Sequence, residues 1–457
     1  MAFATQSQPF SFPMLAETLH QRRQKLSQIF DFPVILWSGQ APARNFSANR
    51  YPFRANSHFL YFAGLPLENA AIYLEGGNLT LFKDDDPPEN ALWQGETPKR
   101  QEIAAEIGAK KDYPLSDLPQ WTEAAASLPI QDLTTYQQQC HLLGRTLQPL
   151  QERDLALAEA IIKLRLCNDE FAIEQVKTAV KVSIAAHKAG ITAAPHCHTE
   201  AQIRAVMEAE IIAQNMTCAY PSIVTTRGEI LHNEDYSQEL QPNDLILADM
   251  GAETALGWAA DITRTFPVQG RFSATQRALY DVVLAAHDAC IAKVSPGVEY
   301  SEIHLLAAMV LAEGLVNLGI LRGKPEDLVA LNAHALFFPH GIGHLLGLDV
   351  HDMEDLGDIA GYAEGRKRRT RFGWQFLRLD RPLQPGMIVT IEPGFYQVPG
   401  ILNNPEFREK YRDCVDWQGL EKFADVRGIR IEDDVLVTET GCEVLTADLP
   451  SQAVEKV

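Results

Sequence analysis

An α/β domain followed by a larger α+β domain made of two equivalent halves is the fold class this sequence predicts, and three observations carry it. The chain has 457 residues, too many for one compact core, so two domains are expected. Between residues 33 and 127 short apolar runs alternate with helical stretches, the pattern of a small α/β unit. Beyond residue 160 the order helix, helix, strands occurs twice, which predicts two pseudo-equivalent halves facing each other. The predicted division is 1–160 and 161–457.

In the first domain a helix is expected from about Leu15 to Phe30. Apolar runs then follow at Pro33–Trp37, Phe59–Phe62, Ala70–Leu74 and Leu79–Phe82. Gly76-Gly77 and Asp84-Asp85-Asp86-Pro87-Pro88 separate or end them as turns. Helical stretches are read at 99–108 and 115–127, and a charged helical tract at 147–166 leads out of the domain. In the second domain Asn168 or Asp169 caps a helix to about Lys188, and Thr199-x-x-Gln202 is a capping-box start for a helix to about Asn215. Strands are placed near 219–225, 244–250 and 258–267. Ser273-x-x-Gln276 and Ser301 open two more helices, and strands return near 386–392 and 428–438. The loops 353–385 and 397–427 are long, and long loops in compact domains are commonly functional.

Composition excludes several classes. Hydrophobic residues make up 46% and charged residues 22% of the chain, the balance of a folded soluble protein. A formal charge of −20 disfavours nucleic acid and anionic membranes as partners. No segment reaches ~18 uninterrupted apolar residues and the N-terminus lacks a basic-then-apolar leader, so the expected location is cytoplasmic. Seven cysteines, scattered and without a Cys-x-x-Cys pair, fit free thiols in a reducing compartment.

The chemistry is concentrated in Phe338-Pro-His-Gly-Ile-Gly-His-Leu-Leu-Gly-Leu-Asp-Val-His-Asp352. It sets His340, His344 and His351 in an apolar, glycine-rich run. Gly341 and Gly343 weaken a helix interior, so a buried loop is predicted rather than a zincin helix. Buried imidazoles need a metal, a carboxylate or a substrate as partner. Four carboxylates sit in comparably apolar places: Asp249 ends Leu245–Asp249, Asp261 lies in Trp258–Phe266, Glu392 ends Gly386–Glu392 and Glu432 ends Gly428–Glu432. Gly251 to Gly257 reads as a hairpin that lets Asp249 and Asp261 meet across an antiparallel pair. Acids so placed repel and are costly to desolvate, and a cation removes both problems. Asp, Asp, His, Glu and Glu suit a pair of divalent ions, Mn2+ or Co2+ before Ca2+, and two such ions commonly share a hydroxide nucleophile. A Gly-x-Ser-x-Gly elbow and a Walker loop are both missing from the chain.

Several segments together resemble the pita-bread (creatinase/methionine aminopeptidase fold) metallopeptidases, the group of aminopeptidase P and prolidase. They are Leu247–Gly251, Ala260–Phe266, His340–His344, Leu348–Asp352, Thr390–Gly394 and Gly428–Asp433. The resemblance covers about 165–450, and more weakly the first domain through Tyr51–Ser57 and Phe62–Gly64. It implies that Asp249 chelates one metal, His344 and Glu392 the other, and that Asp261 and Glu432 bridge them. It implies Mn2+, with Co2+ or Zn2+ as alternatives, Glu392 as proton shuttle, and His351 as the group that steadies the tetrahedral intermediate. His232, His340 and Tyr396 match positions around the Xaa-Pro bond, and Arg430 would support Glu432 from behind.

Two departures from the family pattern stand out. Eleven residues separate Asp249 from Asp261, one more than the pattern; the extra residue is assigned to the tip around Thr254–Leu256, a bulge beside Asp261 being the alternative. The segment before His232 is short, and Asn233 follows where tyrosine is common. The long spacings from His344 to Glu392 and from Glu392 to Glu432 resemble prolidase, and Arg378 resembles the prolidase residue that grips a dipeptide carboxylate; Arg371 and Arg381 are the alternatives in the same loop. The expectation is therefore a homodimeric Xaa-Pro dipeptidase taking small peptides with proline at P1′. An Xaa-Pro aminopeptidase acting on longer peptides is the alternative, and a non-catalytic binding protein on the same fold is the competing class.

Overall fold

The computed structural model describes residues 12–451, and the chain divides after Leu166 into two units. In the first, strands β1 (Val34–Trp37), β2 (Ala70–Glu75), β3 (Asn78–Lys83) and β4 (Lys111–Tyr113) form one sheet in that order, antiparallel except for the β3–β4 pair. Ile35, Trp37, Tyr73 and Phe82 build its core with Leu118 and Ile130. The run 59–62, read as a strand, is helical: α1 (Phe12–Ser27) is followed by α2 (Ser57–Ala63), where the Asn56 side chain accepts from the amides of His58 and Phe59 and Gly64 closes the helix at φ 73°. A side-chain cap and a left-handed glycine thus outweigh the aromatic content. Residues 115–121 form a 3₁₀ turn rather than an α-helix, and α3 (Leu133–Leu143) has no counterpart in the sequence reading. Helix α4 (Glu152–Arg165) contains the expected boundary. Its buried Asp154 accepts from the Ser127 amide and pairs with Arg145, which fastens it to the first unit.

The second unit repeats one plan. Helices α5 (Glu170–Ala193) and α6 (Glu200–Ala213) accompany a three-stranded antiparallel sheet of β5 (Ile223–Thr225), β6 (Leu245–Asp249) and β7 (Thr263–Pro267). Helices α7 (Ala274–Lys293) and α8 (Tyr300–Asn317) accompany a second one of β8 (Ile388–Ile391), β11 (Asp433–Val437) and β12 (Cys442–Val444). A ribbon of β9 (Gly394–Tyr396) and β10 (Gly428–Arg430) completes the set. Asp169 and the Ser273/Gln276 box cap their helices as expected. Thr199 makes no cap bond; Gln202 instead accepts from the His198 amide.

One register runs the length of the β6–β7 hairpin. Asp249 pairs with Thr263, Met250 donates to the Ile262 carbonyl, Ala260 to that of Ala252, and Thr254 to that of Trp258. These pairs share one register, so no bulge interrupts it and the additional residue lies in the turn that Gly257 closes onto Thr254. Asp261 therefore stands ahead of the strand proper, opposite Gly251 and diagonal to Asp249 on one face. Gly251 is required there: a Cβ would lie 1.6 Å from the Ala260 carbonyl oxygen. The histidine loop mirrors this. Leu346, Thr390 and Glu392 amides bond to the carbonyls of Ile388, His344 and Ile342, so residues 342–346 run antiparallel to 388–392 with His344 opposite Thr390 and diagonal to Glu392.

Candidate active site

The two diagonal pairs, Asp249/Asp261 and His344/Glu392, converge on one cleft of about 600 Å³ that is also lined by His232, His340, His351, Arg378, Arg430 and Glu432. Tyr396 stands behind this lining, where its hydroxyl hydrogen-bonds His340 Nε2 (2.8 Å) and accepts from Arg430 (3.1 Å). One ligand atom each of Asp261, His344 and Glu432 lies within 4.8 Å of the others, and all three residues are buried. His344 Nε2 faces Asp261 at 3.4 Å and Glu392 at 3.7 Å. Its Nδ1 meets the Leu345 carbonyl at 3.0 Å, which fixes Nδ1 as the protonated nitrogen and turns the Nε2 lone pair toward the carboxylates.

Sequence reasoning missed the groups that hold these acids. The Tyr220 hydroxyl bridges Asp249 (2.6 Å) and Asp261 (2.5 Å). Thr263 Oγ1 donates to Glu432 at 2.6 Å, and the Glu432 amide bonds to the Thr263 carbonyl. Arg430 was expected to back Glu432, but its guanidinium bonds Asp249 at 2.5 Å, Thr263 at 3.0 Å and Tyr396. The strand geometry explains the difference: β10 pairs with β9, and Glu432 lies beyond its end, against Thr263. Arg264, wholly buried, binds the Glu432 carbonyl (2.6 Å), the Asp433 carboxylate (2.6 Å) and the Leu449 carbonyl (2.5 Å). Tyrosine 220 stands outside every motif; Thr263 and Arg264 lie inside one, but nothing in the sequence marks them as partners of Glu432.

Burial pushes the Asp261 and Glu392 carboxyls up to about 8, reinforced for Asp261 by Asp249 and for Glu392 by Asp261 and Asp249, against the opposing charge of Arg430. Glu432 is raised well above its ordinary range by burial, Asp261 and Glu392. Burial lowers His344 to about 4 and His340 to about 3, so the imidazoles are neutral. Arg430 stays charged: burial opposes this, but Tyr396, Asp249, Glu432 and Glu392 outweigh it. Four acids crowd one arginine while a histidine lone pair points among them. This oxygen-rich donor set with one imidazole fits divalent cations.

In the long loop, His351 Nδ1 meets Glu354 at 2.6 Å, and the other Glu354 oxygen is bonded by Arg378. The two alternative arginines are engaged elsewhere: Arg371 bonds Asn332 and two carbonyls of 329–330, and Arg381 bonds the carbonyls of Ile359 and Tyr362. Two further arginines of this loop are tied down too, Arg366 to Glu299 and Asp380, and Arg368 to Asp358. His232 is exposed at the cleft lining.

Fold and cleft define the class, a pita-bread peptidase with a separate N-terminal domain. The sequence pattern of metallopeptidase family M24 matches residues 174–439, and that of the aminopeptidase P N-terminal domain matches 19–129. The chain belongs to metallopeptidase family M24. It is 34% identical to a probable Xaa-Pro aminopeptidase of Botryotinia fuckeliana, over 86% of this chain and 85% of that one, and 32% identical to one of Fusarium vanettenii, over 87% and 85%. Among solved structures it resembles the aminopeptidase PepP of Pseudomonas aeruginosa (29% identity, TM-score 0.78) and Escherichia coli aminopeptidase P with the inhibitor Pro-Leu (27%, 0.78). Each covers 96% of this chain and 97% of its own. Loop length therefore does not set this chain apart from aminopeptidase P, contrary to the reading of the long spacings as prolidase-like.

Proposed function

We propose that the protein is a metal-dependent Xaa-Pro aminopeptidase that removes the first residue from peptides longer than a dipeptide. The observation that carries this reading is the convergence of Asp249, Asp261, His344, Glu392 and Glu432 in one cleft of a chain whose relatives, matched over most of their length, are named Xaa-Pro aminopeptidases. Those five side chains would hold two divalent cations, Mn2+ first, with Asp261 and Glu432 shared. When bound, the ions supply Lewis acidity toward the scissile carbonyl and acidify water.

The remaining work falls to the chain. Glu392 takes the proton of the attacking water and passes it to the departing proline nitrogen. His351, 4.2 Å ring to ring from His344 and bonded through Nδ1 to Glu354, donates from Nε2, as the imidazolium that the Glu354 carboxylate supports, to the oxygen on which charge develops. His340 and His232 flank the proline side, with Tyr396 fixing His340. Arg430 holds Asp249 in place and balances part of the acidic charge.

The test is an assay of the Mn2+-loaded protein on Gly-Pro, Gly-Pro amide and Gly-Pro-Xaa peptides of increasing length. The expected result is release of glycine with kcat/KM higher on the longer peptides than on Gly-Pro. Cleavage confined to Gly-Pro would establish the dipeptidase instead, and a protein without bound metal or activity would be a binding protein.

A further inference from the structure

Glu354 lies beside the cleft and holds two of its lining side chains at once. One carboxylate oxygen meets His351 Nδ1 at 2.6 Å, and the other accepts from Arg378 Nη1. The local chain makes this fork. Met353 adopts φ 60°, Glu354–Leu356 form a 3₁₀ turn, and the Glu354 amide bonds the His351 carbonyl, which brings side chains three apart together. His351 and Arg378 line the main cleft, and with Glu354 they line a second cavity of about 140 Å³ beside it. Glu354 thus reaches its partners from behind the substrate space.

Resting on the aminopeptidase reading, we propose that Glu354 is a specificity-determining residue, withholding the Arg378 guanidinium from the C-terminal carboxylate of a dipeptide while orienting His351. A free guanidinium in the cleft would bind such a carboxylate by a charge-assisted pair. Here the substrate would have to replace one carboxylate with another and so gains little. Arg378 and Glu354 are 36% and 44% exposed, so their pair is not strong in itself. It prevails because Glu354 is tethered to the same loop, at an effective concentration above that of a dissolved dipeptide. The His351 bond, and against burial the Arg378 charge, keep the Glu354 carboxyl ionised, as the fork requires. A peptide extended beyond proline carries its carboxylate elsewhere and is indifferent to this competition.

The test compares wild type, Glu354→Ala, Arg378→Ala and the double variant, all Mn2+-loaded, on Gly-Pro and on Gly-Pro amide. The readout is the ratio of kcat/KM between the two substrates, which cancels any loss common to both from a loosened His351. Glu354→Ala is expected to raise the ratio of Gly-Pro to amide about tenfold, the scale of one charge-assisted contact, and the double variant should return it to the wild-type value. Glu354→Gln, which keeps the size but not the charge, should also raise it. An unchanged ratio in Glu354→Ala and Glu354→Gln, in an enzyme that prefers the amide, overturns the role of Glu354 alone. A wild type that already prefers Gly-Pro overturns this role together with the aminopeptidase reading.

Discussion

Glu392 and His351 line the same cleft, and substitution separates the duties proposed for them. Glu392→Gln is expected to lower kcat by about 10²-fold or more, since it removes a proton carrier, and to weaken metal retention. His351→Ala should lower kcat by about 10²-fold while metal content, read by elemental analysis, stays at the wild-type level. Loss of metal in His351→Ala would make it a ligand instead. Tyr220→Phe removes the hydroxyl shared by Asp249 and Asp261 and should weaken metal affinity about 10–100-fold, measured by titration with a chelator. At this scale the acids and histidines were legible, because charge in an apolar run has few explanations. Tyr220, Thr263, Arg264 and Glu354 were not, because a hydroxyl, a guanidinium or a surface acid declares its partner only when the chain is folded. Arg430 shows the limit plainly: its presence was legible, while its choice of Asp249 over Glu432 depends on where β10 ends.

Among the elements, the β6–β7 hairpin is the most demanding. Its register fixes Asp261 two residues from the partner of Asp249, and Gly251 lets the strands approach at that point. Gly251→Ala should destabilise the protein by about 3 kcal/mol through backbone overlap, and metal binding should fall with it; denaturant unfolding with and without Mn2+ measures both. An unchanged midpoint would mean that the hairpin tolerates opening. The hairpin and the long helices were legible because period and caps agreed with tertiary packing. The aromatic run at 59–62 was misread because β-propensity reports burial rather than backbone preference, and Asn56 with Gly64 decides the matter locally. The histidine run is the buried, non-helical loop that its glycines predict; what was not legible is its pairing along β8, which Gly343 permits, since a Cβ there would meet the Thr390 carbonyl at 2.2 Å.

For the molecule as a whole, metal removal and pH are linked. In metal-free protein Asp261 and Glu392 titrate near 8 when folded and near 4 when unfolded. Their folded pKa is the higher, so the folded state holds more protons between these limits; the associated stability is complete below about pH 4 and is lost as pH rises toward 8. The melting temperature of chelator-treated protein should therefore fall from pH 6 to pH 8, and the stabilisation by Mn2+ should grow over the same interval. A gap that does not change with pH would mean that the acids are already ionised without metal. The charge of the chain announced an acidic protein, but not that part of this acidity is buried in one cleft, since composition carries no address. Arg264 adds a consequence in time. It joins the Glu432 backbone to the carbonyl of Leu449, and Thr446 bonds the neighbouring Asp433 at 2.5 Å. In the order of synthesis the brace on Glu432 cannot close until residue 449 exists, so this part of the cleft is completed by residues made after all of its donors.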